Sequence, residues 1–295
     1  MTILVTGASG LIGSHLCRTL AKNGADVVGL CCSHLISVRP RLRVDVCDIA
    51  DYDDVSRTIA LYCPETVFHF AAHLPSTPNP DFIKVNISGT NNLLGACYRN
   101  RVKNFIYASS MSVYSAPPEY LPVDEKHPTM PDDMYGKTKL VGERMCECYS
   151  QVMKTVVVRF SSVFGPRDNA RVAYHFMRSA VSGQVIQVDG DGSQSSDFIY
   201  VDDAVEGALL ALEYGKSGEV YNIGSGRETS VLELAGDIAN SSDRFIDIKM
   251  SGKPATRPFR FVANIGKARR ELGYCPGDLV EGLRKYREEI ETSGS

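Results

Sequence analysis

Residues 3–17, ILVTGASGLIGSHLC, decide how the rest of the chain is read. A short β-branched run leads into Gly7, Gly10 and Gly13, and a helical pattern follows. Gly7 permits a tight turn off the strand, Gly10 lets backbone approach a pyrophosphate, and Gly13 lets the helix pack closely. The opening helix then presents unsatisfied N–H groups and the positive end of its dipole to an anion. The spacing G-x-x-G-x-x-G departs from the commoner G-x-G-x-x-G of dinucleotide sites, so its weight depends on what surrounds it.

Working outward, residues 25–30 (ADVVGL) read as a second buried strand, which completes strand, helix and strand at βαβ spacing. A dinucleotide site places an acid at the end of that strand to bind both ribose hydroxyls of NAD. Cys31, Cys32 and Ser33 stand there instead. With no carboxylate to repel a 2′-phosphate, and with Arg39, Arg41 and Arg43 nearby, NADP is expected at least as readily as NAD. The same arginines also fit a solvated edge.

Residues 42–46 predict a third strand, with Asp48 beyond its end placed to meet an adenine. Residues 51–62 fit a helix with acids in its first turn, as the dipole favours. Residues 66–72, TVFHFAA, read as an apolar strand ending in small residues, and His69 within it as a satisfied core histidine. Prolines between positions 73 and 80 mark a loop at the carboxyl edge of the sheet; a helix over 86–100 and a fifth strand over 104–109 follow.

Residues 108–139 carry the chemistry. Asp132 and Asp133 can cap a helix starting near Met134, which sets Tyr135 and Lys139 at i and i+4 on one face. An ammonium beside a phenol favours the phenolate and brings Tyr135 toward neutral titration. Ser110, at the end of the preceding strand, can bond the same substrate oxygen.

Composition removes several alternatives. A chain of 295 residues can form one large domain or two modest ones. A net charge of -3 offers no basic footprint for nucleic acid. No apolar run reaches membrane-spanning length and no signal-peptide pattern opens the chain, so a cytoplasmic protein is expected. Nine cysteines, an odd number, are read as reduced thiols. Cys146-Glu-Cys148 and Cys31-Cys32 lack the spacing and partners of a zinc site, so no metal is expected.

In order, GASGLIG, VFHFAAH, VNISGTNNLL, FIYASSMSVYS, YGKTK, VVVRFSSVFGPRDN, GDGSQSSDFIYVDDAV, YNIGSGRETSVLELA and KARRELGYCP resemble the extended short-chain dehydrogenase/reductases. More narrowly, they resemble the NAD(P)-dependent epimerases, dehydratases and ketoreductases of nucleotide-activated sugars. The resemblance runs from residue 3 to about residue 276. It implies an α/β fold: a Rossmann doubly wound parallel sheet from residues 1–165 and 197–225, with a smaller C-terminal α/β substrate domain from residues 166–196 and 226–295. Carried over by motif, the catalytic roles fall on Tyr135 as acid/base, Lys139 on the nicotinamide ribose, and Ser110 orienting the substrate oxygen. The implied cofactor contacts are Gly7, Gly10, Leu11, Ile12, Gly13, Cys31, Ser33, Asp48, Ile49, Phe70, Ala71, Ala72, Asn86, Ala108, Tyr135, Lys139 and Phe160. Those to substrate are Ser110, Ser162, Arg167 and Arg257. The implied partners are a nucleotide-activated sugar and a second copy of the chain, paired as a homodimer through helices at 86–100 and 134–150.

The departures narrow the chemistry. Dehydratases of this family place an Asp-Glu pair where Met111 and Ser112 stand, so loss of water is not expected. The asparagine that contacts substrate phosphate is Ser162 here, and the diphosphate arginine is Ser196, with Arg167, Arg171, Arg257 and Arg260 as candidate substitutes. The expected activity is hydride transfer at a sugar ring carbon, C4. The missing acid at Cys31 favours a ketoreductase; the alternatives are a 4-epimerase holding NAD tightly, a reductase of a nucleotide-free carbonyl compound, and a non-catalytic cofactor-binding regulator.

Overall fold

In the computed structural model, which describes residues 2–32, 40–168, 171–242, 244–255 and 260–293, the apolar runs become parallel strands separated by amphipathic helices. The first half comprises β1 (Thr2–Thr6), α1 (Leu11–Lys22), β2 (Asp26–Cys31), β3 (Leu42–Val46), α2 (Tyr52–Tyr62), β4 (Thr66–His69), α3 (Thr90–Arg99), β5 (Asn104–Ser110), α4 (Met134–Tyr149) and β6 (Lys154–Phe160). The chain continues through β7 (Ser162–Phe164), α5 (Val172–Val181), β8 (Ile186–Val188), β9 (Ser195–Ser196), β10 (Phe198–Tyr200), α6 (Val201–Tyr214) and β11 (Val220–Ile223). It closes with β12 (Thr229–Ser230), α7 (Val231–Asn240), β13 (Ile248–Met250), α8 (Gly266–Leu272) and α9 (Leu279–Ser293).

One seven-stranded sheet has the order β11-β6-β5-β4-β1-β2-β3, parallel throughout. The order reverses between β1 and β4, which opens a crevice at the carboxyl ends of the strands. Alternation along the strands divides the core: Leu4, Val28, Val67 and Phe105 face the cluster containing Leu93, Leu94 and Cys146 of α3 and α4. Ile3, Val5, Val27 and Ile106 face the cluster containing Leu16 of α1 and Ala204 of α6. Burial on both faces is why these strands read as continuous apolar runs. Beyond the sheet lies a smaller α/β region, where β8 pairs with β13 in parallel and β9 with β12 antiparallel.

Local signals fix most boundaries. Asp51 caps α2 by accepting from Asp54 N, and Asp133 caps α4 by accepting from Gly136 N. Ser230 caps α7 in a reciprocal capping box with Glu233.

Two expectations are corrected. The strand expected over 66–72 stops at His69, because β1 turns away at Gly7 and leaves little to pair with; Phe70 N and Ala71 N reach only the carbonyl and hydroxyl of Thr6. The helix expected from residue 86 starts earlier, as a π-helical turn over Ile83–Gly89 that runs into α3, with Asp81 accepting from Lys84 N. Helix α5 begins at Val172, and residues 169 and 170 lie outside the described residues.

Candidate active site

The turn between β1 and α1 is built around absent side chains. Gly7 has a φ of +68°, and a Cβ there would lie 2.7 Å from Ala71 N. A Cβ on Gly13 would lie 2.3 Å from the carbonyl oxygen of Gly7, so only glycine lets α1 approach its own strand this closely. Gly10 is different: its Cβ would meet only that same oxygen, at 3.3 Å, which leaves its other side open to the cleft. It is also the N-cap of α1 and supplies no side-chain cap. The first N–H groups of the helix are therefore left to an anion.

This turn borders a cleft of about 690 Å³ at the switch point. Of the expected cofactor contacts, Gly7, Gly10, Leu11, Ile12, Gly13, Cys31, Asp48, Ile49, Phe70, Ala71, Ala72, Ala108, Tyr135, Lys139 and Phe160 all line it. Ser33 lies outside the described residues. Asn86 does not line the cleft: its amide accepts from His73 N and donates to His73 O and to Thr138 Oγ1, so it braces the wall from behind. A glycine cradle, uncapped helix N–H groups and a long cleft across the sheet ends fit a dinucleotide. Neither Arg41 nor Arg43 lines this cleft. Arg41 turns instead to Gly24 O and Asp26, which removes the expected support for NADP from those two side chains.

The three residues expected to be catalytic meet in the same cleft. Tyr135 and Lys139 occupy one face of α4, while Ser110 ends β5 opposite them. Lys139 is 3% exposed and its Nζ donates to Ala108 O at 2.8 Å. Burial pulls Lys139 down to about 8, against Cys146 and Glu143, which raise it. The expected drop of Tyr135 toward neutrality is corrected. Withdrawal from water pushes its hydroxyl up to about 12, and the charge of Arg171 and a hydrogen bond from Ser110 only partly oppose this. Lys139 Nζ stands 5.8 Å from the tyrosine ring centroid and is bonded elsewhere. His69 is the satisfied core histidine that its setting predicts: Nδ1 bonds Thr6 Oγ1, Nε2 bonds Thr90 Oγ1, and burial drives it down to about 3.

A second cavity of about 650 Å³ adjoins the first; Ser110, Phe160 and Ser161 line both. Ser162 lies in this second cavity, its hydroxyl 2.7 Å from that of Ser196, so the two residues that replace larger polar side chains bond each other. Arg167, expected at substrate, lines the first cleft instead, as does Arg171. Arg257 lies outside the described residues, and Arg260 forms a two-bond pair with Glu228. Sequence reading did not single out His175, Gln187, Asp189 and Gln194, which line the second cavity from α5, β8 and the loops that follow. They carry no spacing signal because they come together only through tertiary packing. Among the described residues no group of His, Cys, Asp and Glu is arranged to hold a metal, and no helix is long and apolar enough to cross a membrane.

Comparison with known proteins agrees with this geometry. The model of the NAD dependent epimerase/dehydratase family matches residues 3–224. The UDP-glucose 4-epimerase of Rhizobium leguminosarum bv. trifolii is 31% identical over 315 aligned positions, covering 96% of this chain and 95% of that protein. The structure of the Thermotoga maritima UDP-glucose 4-epimerase with UDP-glucose superposes with a TM-score of 0.91 at 31% identity, over the full length of both chains. That of the Bacillus cereus UDP-glucuronic acid 4-epimerase, with UDP-glucuronic acid and NAD, gives 0.87 at 31% identity, covering 99% of this chain and 100% of the other.

Proposed function

Since the chain belongs to the NAD dependent epimerase/dehydratase family, we propose that it is a nucleotide-sugar 4-epimerase that inverts C4 of a UDP-linked hexose while retaining NAD. The observation that carries this reading is Ser110: it lines both cavities, so a sugar entering from the second cavity meets Tyr135 at the cofactor cleft. The relatives favour epimerisation over the ketoreductase that Cys31 first suggested, and NAD over NADP.

The turn from Gly7 to Gly13 would hold the pyrophosphate through backbone N–H groups, Asp48 and Ile49 would border the adenine, and Lys139 would reach the nicotinamide ribose. When bound, NAD supplies a reversible acceptor for the hydride on C4. Tyr135 removes the proton from the 4-hydroxyl as the ring carbon is oxidised and returns it after the keto sugar has presented its other face. Ser110 donates to the same oxygen and keeps it within reach of the phenol. Met111 and Ser112 carry no carboxyl group, which speaks against elimination of water at this site.

The test is to incubate purified protein with UDP-glucose, UDP-galactose and UDP-glucuronate without added cofactor, and to identify any nicotinamide released on denaturation by mass. Interconversion at C4 with NAD released is expected. Turnover that consumes added NADPH, with no cofactor released, would replace the epimerase by a ketoreductase.

A further inference from the structure

Helix α4 carries a buried carboxylate on the side of Tyr135 and Lys139. Glu143 lies one turn beyond Lys139 and is 6% exposed, and no step derived above uses it. Its carboxylate accepts from Ser109 Oγ at 2.5 Å, from Arg159 Nε at 2.8 Å and from Arg159 Nη2 at 2.6 Å. Ser109 and Arg159 face each other across β5 and β6, and Ser109 directly precedes Ser110. Arg159 Nη1 donates to the Tyr114 hydroxyl, which in turn donates to Asn222 Oδ1 on β11. One buried carboxylate thus ties α4 to three neighbouring strands of the sheet.

We propose that Glu143 is a positioning residue for the proton-transfer centre. Balanced by Arg159, it fixes the strand end that carries Ser110 against the helix that carries Tyr135, and it supplies the negative charge facing buried Lys139. Among the described residues, the surroundings of Lys139 leave no other carboxylate for that part. The Ala108 carbonyl and the Tyr107 ring face it from β5, Tyr135 and Cys146 from α4, and His69 from β4. His69 is neutral, and of the two groups that raise Lys139, Cys146 and Glu143, burial keeps the thiol protonated, so among the described residues it is Glu143 that supports the ammonium with a full charge. A buried ion pair contributes little net stability, whereas its removal from one side leaves a lone buried charge. Retaining it beside the reacting groups is accounted for by geometry and charge.

The kinetic arm of the test rests on the epimerase reading; the titration arm does not. Glu143→Gln and the charge-balanced Glu143→Gln/Arg159→Gln are compared with wild type. Lys139 is titrated by competitive acetylation with acetic anhydride across pH, read by mass spectrometry, and kcat and KM are followed over the same range. Without the carboxylate the ammonium is less favoured, so Lys139 should titrate about one pH unit lower in Glu143→Gln, and lower by a smaller amount in the double variant, where the Arg159 charge is lost too; the alkaline limb of kcat should move with it. At neutral pH kcat should fall about tenfold or more, with KM changed by less than about twofold. Ser109→Ala should lower kcat about threefold while leaving the Lys139 titration in place, which separates positioning from charge. Should Glu143→Gln alone fail to fold, the double variant and Ser109→Ala carry the test. An unmoved Lys139 titration in a folded variant, or an unchanged kcat, overturns the proposal. A wild type that turns over no nucleotide sugar would overturn the epimerase reading instead, with the acetylation result still deciding the role of Glu143.

Discussion

Tyr135 starts from a position unfavourable for taking a proton, since withdrawal from water holds its hydroxyl up at about 12. The proposed proton transfer therefore depends on groups that favour the phenolate, among which Arg171 and Ser110 already act. Tyr135→Phe keeps the ring against Phe82 and removes the proton carrier. Turnover should fall by about 10²–10⁴-fold, while denaturation should still release NAD; a regulator without catalysis would keep its partner response in this variant. Lys139 gives a second prediction with a definite sign. Its folded value of about 8 lies below the ordinary 10.5, so between the two the unfolded chain binds the extra proton, and the cost of burying the charge is full below about 8 and fades as pH rises. Lys139→Met should raise unfolding stability at pH 7 by up to about 3 kcal/mol, an upper bound because the bond to Ala108 O is lost. That gain should shrink toward pH 10.5, as urea titrations at both pH values would show. That Tyr135, Lys139 and Ser110 meet in one cleft was legible because a tyrosine and a lysine one turn apart follow a strand ending in serine. The direction of the tyrosine shift was not, since it depends on burial. Nor were the partners of Asn86 and Ser162, because an amide or hydroxyl bonds whatever tertiary packing brings near.

At the scale of elements, the glycine turn separates folding from binding. Gly13→Ala would force a methyl against the Gly7 carbonyl and push α1 off β1, so both the melting temperature and NAD retention should drop. Gly10→Ala meets far less protein and should fold almost normally, yet NAD should bind about tenfold more weakly because the methyl points into the space that backbone must share with a pyrophosphate. Equal loss of stability in the two variants would argue against this division. Ser230→Ala should cost about 1 kcal/mol through the lost capping box on α7, readable as a small shift in the denaturation midpoint. The parallel strands and their intervening helices were legible from apolar runs, caps and glycines. Where a strand ends was less so: β4 stops at His69 because its neighbour turns away, a fact of pairing that TVFHFAA does not contain. The π-helical turn at Ile83–Gly89 likewise has no helix-period signature of its own.

At the scale of the whole molecule, the ordered motifs made the family recognisable, but the choice between NADP and NAD turned on arginines whose direction only the folded chain reveals. Arg41 reaches back to Gly24 and Asp26 and leaves the cleft. The homodimer expected from sequence has its own check: Tyr98 on α3 and Val141 on α4 are 52% and 38% exposed. Light scattering at micromolar concentration should report a dimer, and Val141→Glu a monomer, if these helices pair with a second copy. The partition between the two cavities has a practical consequence. Because Ser110, Phe160 and Ser161 form their common wall, a library confined to positions 175, 187, 189 and 194 should reshape the cavity proposed for the sugar while leaving the cleft proposed for the dinucleotide intact. The molecule is divided like a socket with interchangeable fittings, and new guests could be selected without rebuilding its wiring.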